Sequence, residues 1–280
     1  MFIKIGFDIE LAISSPMALI YLLRVHPSRC NDLLAPEAVW IDPNVVRQEY
    51  IDSFGNQCGR VNAPGGSARI RFYSESIIAD SGQPDEVNVN AWQHDPVELP
   101  PATLQFLLPS RYCEVDSELL PFAWNQFGRT NKGWPRVQAI CDFVHQHLRF
   151  DYNAARATRT ALDGFRERTG VCRDFTHLAV TLCRCMNIPA RYCTGYLGDI
   201  GIPPVPYPMD FSAWFEVFLD DRWYTFDARH NTPRIGRIVM ARGRDAGDVP
   251  ITMAFGQNTL QTFRVTTFEV DALGNAVTTV

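Results

Sequence analysis

In Arg168-Thr169-Gly170-Val171-Cys172-Arg173-Asp174-Phe175-Thr176-His177-Leu178, a glycine-led turn delivers a cysteine to the first turn of a predicted helix. A thiol there faces N–H groups that have no partner inside the helix, and the positive end of the macrodipole. Both favour its anion. The helix is expected to run to about Met186, with Phe175, Leu178, Ala179, Leu182, Cys185 and Met186 on one apolar stripe and Cys172 at its margin. Asn187-Ile188-Pro189 then ends it, because proline suits the positions just past a helix C-terminus.

Upstream, Val137, Ile140, Cys141, Val144 and Leu148 recur at helical spacing and predict a helix over Pro135 to Leu148. The polar segment from Phe150 to Thr169 reads as a loop with a short helix. Downstream lie three strand candidates: Arg191 to Leu197, Ala213 to Leu219 and Trp223 to Asp227. Between the first two, Gly201-Ile202-Pro203-Pro204-Val205-Pro206-Tyr207-Pro208 has too many prolines for a central strand and reads as a stiff loop over a sheet edge. Asp220-Asp221-Arg222 makes a tight hairpin connection. Folding that hairpin antiparallel is expected to bring position 212 beside Asp227. A base there would have an acid behind it to fix its tautomer, which is the orienting logic of a catalytic triad.

Gly170-Val171-Cys172-Arg173-Asp174-Phe175, Ile188-Pro189-Ala190-Arg191-Tyr192, Ala213-Trp214-Phe215-Glu216 and Trp223-Tyr224-Thr225-Phe226-Asp227 together resemble the core of bacterial transglutaminase-like proteins, over roughly residues 135 to 230. The resemblance implies an α+β, papain-like core in which the cysteine-bearing helix packs on an antiparallel sheet, preceded by a β-rich domain. It also implies that Cys172 is the nucleophile and Asp227 the orienting acid. The family pattern has His-Ala-Trp where this chain has Ser212-Ala213-Trp214, and a serine hydroxyl is a poor acceptor for a thiol proton at neutral pH.

Other histidines are candidates for the base. His177, five residues beyond Cys172, lies roughly 140° around the helix axis and reads as a packed structural residue. His230, in Asp227-Ala228-Arg229-His230-Asn231, lies within about 10 Å of Asp227 along an extended chain. It is the candidate base, against the reading of an exposed loop histidine. His145 and His147 read as surface or helix-end residues, and His26 and His94 as members of the other domain. The alternative for Asp227, whether or not the protein is active, is a hydrogen bond to the Ser212 hydroxyl that locks the hairpin.

The first part of the 280-residue chain reads as β-rich, with Ala68, Ile70 and Phe72 on one face of a strand and turns at Asp52-Ser53-Phe54-Gly55-Asn56 and Pro64-Gly65-Gly66. Residues 1–110 are expected to form the β-rich domain and 111–280 the core with a C-terminal strand segment. A composition of 46% hydrophobic and 20% charged residues is ordinary for a globular chain. A net charge of −5 disfavours nucleic acid or an anionic membrane as partner. Met1 to Leu11 has no basic region leading an apolar block, so no secretory signal is expected. The eight cysteines form no Cys-x-x-Cys pair, which points to a reducing, cytoplasmic setting with most thiols in the core. Cys183, Cys185 and Cys193 have the wrong spacing for a zinc site, and no metal or cofactor is expected.

The expected function is cysteine-dependent acyl chemistry on a peptide or protein amide, as hydrolysis or acyl transfer through a thioester. The rival reading is a degenerate binding or scaffold module. A third keeps a reactive thiolate held by the helix terminus and Arg173. Trp134, Trp214 and the proline-rich loop are candidates to shape a cleft.

Overall fold

The computed structural model describes residues 1–64, 69–205 and 209–277. The first part runs through β1 (Phe2–Ile13), β2 (Met17–Tyr21), β3 (Trp40–Asp42), β4 (Arg47–Ile51), β5 (Gln57–Ala63) and β6 (Arg69–Ala79). Helices α1 (Pro101–Leu104), α2 (Leu119–Phe127) and α3 (Trp134–His147) follow, then β7 (Arg149–Phe150), α4 (Ala161–Glu167) and β8 (Thr169–Gly170). The cysteine helix α5 (Cys172–Cys185) leads into β9 (Ala190–Tyr196), β10 (Ser212–Leu219), β11 (Arg222–Phe226) and β12 (Ile238–Gly243). The chain closes with β13 (Thr252–Ala254) and β14 (Asn258–Val270).

Period-two alternation explains the first part. Along β1, Ile3, Ile5, Phe7, Ile9, Leu11 and Ile13 all turn inward, as a strand covered on one face requires. Two antiparallel sheets result, ordered β14-β1-β6-β3 and β13-β2-β5-β4. Ile70 and Phe72 are fully buried, while Ala68 and the Gly65-Gly66 turn fall outside the described residues. The Asp52 turn is held by its own carboxylate, whose Oδ1 accepts the N–H groups of Phe54 (2.8 Å) and Asn56 (2.9 Å).

The C-terminal strand segment does not stay with the second half of the chain. β14 pairs with β1 from Phe2↔Val270 to Ile13↔Asn258, and β13 pairs with β2. Conversely, Ala91 joins the core formed by α2, α3 and α5. Phe106 meets Trp223 edge-on, and its carbonyl accepts the Ala190 N–H. His94 also belongs with this core: its Nε2 accepts the Asp221 N–H (3.2 Å) and its ring stacks on Phe218. His26 reaches it as well, through Arg242.

The core sheet is ordered β11-β10-β9-β12, all antiparallel. Phe215, Val217 and Leu219 pack with the helices, while Tyr196, Ile238 and Met240 pack with the β-rich part. With both faces covered, β10 is buried from end to end. The same burial surrounds α5, where every residue from Asp174 to Cys185 is buried. The expected single stripe is therefore wrong in extent: a helix between other helices and a sheet buries all its faces. Asp220 and Asp221 both take positive φ (49° and 62°), as a two-residue type I′ hairpin demands. Among the described residues no helix is long and apolar enough to cross a membrane.

Candidate functional site

The start of α5 is fixed by a buried carboxylate. Asp174 Oδ2 accepts the Val171 N–H (2.9 Å), and Arg159 Nη1 reaches the same oxygen at 3.1 Å. Gly170 is required by this closeness: a Cβ there would stand 2.6 Å from the Asp174 carboxylate. Gly170→Ala is therefore expected to destabilise the protein by about 1–3 kcal/mol and to slow reaction of the Cys172 thiol, as read by chemical denaturation and by alkylation. As the first residue of α5, Cys172 has an N–H with no partner in the helix.

The acid and the candidate base form a tight cluster just past β11. Asp227 Oδ1 accepts the N–H groups of Arg229 (2.9 Å) and His230 (3.0 Å). Its Oδ2 takes His230 Nδ1 at 2.8 Å and Arg237 Nη2 at 2.9 Å. Burial pushes the Asp227 carboxyl up, but Arg237 first and His230 next outweigh it and hold it well below the usual carboxylate range. Facing that anion, Nδ1 is assigned the proton, which leaves the lone pair on Nε2.

Cys172, Ser212, Arg229 and His230 line one cavity of about 240 Å³, together with Tyr152, Asp210 and, from the proline-rich loop, Ile202 and Val205. Pro206 to Pro208 lie outside the described residues. The Ala213 N–H lies near the Cys172 sulfur and favours its anion. The structure thus brings Cys172 and His230 to one cleft, with Asp227 behind the histidine. A thiol, an imidazole and a carboxylate in that order can pass a proton and form a thioester.

Several expectations need correction. The helix terminus does not leave Cys172 as a ready thiolate: burial pushes the thiol up to about 11, and Arg229 and the Ala213 N–H only partly oppose it. Nor is Arg173 the nearby cation. It is spent on Asp174 and on the carbonyls of Arg156 and Ala157, 17 and 16 residues back. The expected Asp227–Ser212 bond is absent; the Ser212 hydroxyl is buried and unpartnered. The β10–β11 ladder runs only to Phe215↔Phe226, so position 212 pairs with Gly195 of β9 and does not oppose Asp227.

His177 is a packed structural residue: its Nε2 accepts the Ala246 N–H (3.1 Å), and its ring stacks on Tyr112. His145 and His147 bond the carbonyls of Arg229 and Phe165. Trp214 does not line the Cys172 cleft; it is buried, with Arg237 lying 5.2 Å from its ring centre. Trp134 lines a different, larger cavity of about 580 Å³ on the far side of Asp227. The polar groups around it already bond one another, as Gln138, Asp142 and Asn231 do. The 240 Å³ cleft is where the thiol and imidazole converge, so it is the better candidate despite its size.

The sequence reading missed Arg237, which anchors Asp227 and also bonds Asp85 at 2.7 Å. Among the described residues no group of three or more His, Cys, Asp or Glu side chains is placed to hold a metal ion.

Residues 123–228 match the profile of the transglutaminase-like superfamily. The crystal structure of a candidate cysteine protease from Cytophaga hutchinsonii superposes with a TM-score of 0.82 at 29% sequence identity, covering 97% of this chain and 91% of that one. An uncharacterized protein of Mycobacterium leprae is 21% identical over 215 residues, spanning 74% of this chain and 75% of its own. An uncharacterized protein of Mycobacterium tuberculosis is 26% identical over 231 residues, with 75% and 72% covered.

Proposed function

Because residues 123–228 match the transglutaminase-like superfamily, we propose that the chain carries out cysteine-dependent acyl chemistry on a peptide or protein amide, with Cys172 as nucleophile, His230 as base and Asp227 as the acid that orients the base. The observation that supports this most is the 2.8 Å contact between His230 Nδ1 and Asp227 Oδ2, made by a histidine that lines the same cavity as Cys172.

The reaction divides into two steps. His230 Nε2 takes the thiol proton as sulfur attacks the carbonyl carbon. The oxyanion forms near the unpartnered Cys172 N–H. The C–N bond then breaks, the amine leaves with the proton from His230, and a thioester remains on Cys172. Water gives hydrolysis and an amine gives transfer, each losing its proton to His230 as sulfur departs. A thiol held near 11 suits this order, because it is deprotonated when substrate and base are in place. All eight cysteines are unpaired, which fits a reducing, cytoplasmic setting.

The rival reading is a degenerate peptide-binding module, and Ser212 at the family's histidine position favours it. The pH dependence of Cys172 alkylation by iodoacetamide separates the two. Peptide-resolved mass spectrometry is needed because Cys30 is exposed and would react as well. If His230 takes the proton as sulfur attacks, the alkylation rate inflects well below the ordinary thiol value of ~8.5 although burial raises the resting thiol, and in His230→Ala the inflection moves up to where the thiol ionises unaided. Identical profiles in the two proteins would reject His230 as the base.

A further inference from the structure

Arg229 stands between the acid and the base in sequence, and it lines the Cys172 cleft. It is firmly held. Its guanidinium carbon lies 3.8 Å from the Phe150 ring centre, and the Tyr152 hydroxyl is a close neighbour. Its backbone is pinned at both ends, by Asp227 Oδ1 and by His145 Nδ1. None of these contacts neutralises its charge. Among the described residues no carboxylate comes within ion-pair distance of it. Neighbouring arginines differ: Arg237 is committed to Asp85 and Asp227, and Arg173 to Asp174.

A second arginine faces the same cleft. Arg234 is buried, donates Nη2 to the Gly198 carbonyl at 2.8 Å, and keeps a buried Nε with no hydrogen-bond partner. The cleft also holds two acids. Asp199 Oδ2 is occupied by the Val205 N–H at 2.8 Å. Asp210 has its carboxyl raised by burial, against the Phe211 N–H and Arg229. Neither takes up the guanidinium fork of Arg229.

We propose that Arg229 is a specificity-determining residue, binding a carboxylate carried by the substrate next to the amide that Cys172 attacks. The substrates would then be acidic amides, bearing either an acidic side chain or a free terminal carboxylate beside the reacting carbonyl. A guanidinium fixed in one plane suits this task, because it meets a carboxylate with two parallel N–H···O bonds. The proposal rests on the acyl-chemistry reading for its word "substrate", but the anion site itself can be tested on the thiol alone.

The test compares two small alkylating agents at Cys172, iodoacetate and iodoacetamide, which differ mainly in the carboxylate. Because both need the same thiolate, the ratio of their rates cancels any change in thiol pKa. In the intact 280-residue chain, iodoacetate is expected to react with saturation kinetics. Arg229→Gln should lower the iodoacetate-to-iodoacetamide ratio by roughly 10- to 100-fold, the worth of a charge-assisted hydrogen bond. Arg229→Lys should fall between, keeping the charge and losing the fork. An unchanged ratio in Arg229→Gln overturns the proposal. So does a ratio that falls without any saturation in the parent protein, since that reports only a general field. A loss of His230 dependence in the iodoacetamide rate rejects the acyl-chemistry reading instead, and leaves the ratio standing.

Discussion

Asparagine at position 227 is expected to slow acetylation of Cys172 by p-nitrophenyl acetate about 10⁴-fold, the scale at which a triad loses function when its histidine is held in the wrong tautomer. The cause is local. Asp227 Oδ2 is the acceptor that places the proton on His230 Nδ1, and its negative charge stabilises the imidazolium that forms as sulfur attacks. An asparagine amide fills the same space but carries no charge, and it can turn its NH₂ toward Nδ1, which sends the proton to Nε2. The base then has no lone pair facing the thiol. The unfolding midpoint should move far less than the rate, because Arg237 keeps Asp85 as a partner. Single-turnover acetylation beside thermal unfolding checks both parts, and a loss under 10-fold would contradict the orienting role.

Arg237→Met is the second large effect, and it falls on stability. Arg237 is buried between Asp227 and Asp85 at 2.9 and 2.7 Å. Removing it leaves two carboxylates without their cation, for which about 3–5 kcal/mol is the usual cost of breaking a buried pair. The pH dependence has a definite sign. The folded-state pKa of Asp227 is depressed, so its contribution is present above the unfolded value of ~3.9. It is lost as pH falls from there toward the folded value. The gap between parent and variant should therefore be widest near neutral pH and shrink below about pH 4. Urea denaturation at both ends of that range measures it. A gap that grows in acid would mean that Arg237 does not stabilise the ionised acid.

The parts of this account that were legible in sequence are those written in local patterns. A glycine before a cysteine, an apolar stripe and a following proline placed α5 to within a residue or two. The hairpin was legible because Asp220 and Asp221 sit between two runs rich in aromatic and β-branched residues. What stayed hidden depends on contacts between distant positions. Arg237 anchors Asp227 together with Asp85, 142 residues before Asp227 in the chain, and no spacing rule joins the three. β14 pairs with β1 across almost the whole chain. The Cys172 thiol was misjudged because a helix terminus is visible in sequence and desolvation is not. For position 212, the hairpin's turn was placed correctly, but where its ladder ends was not legible.

The central claim is that Cys172 and His230 act as one unit, and acyl-enzyme formation tests it most directly. Intact-protein and peptide mass spectrometry after brief exposure to p-nitrophenyl acetate at neutral pH would follow the adduct. The account predicts an acetyl group on Cys172 that forms quickly in the parent protein, decays in water, and forms at least about 10²-fold more slowly in His230→Ala. An adduct at Cys172 that forms equally fast in both proteins, or no adduct there at all, would contradict it.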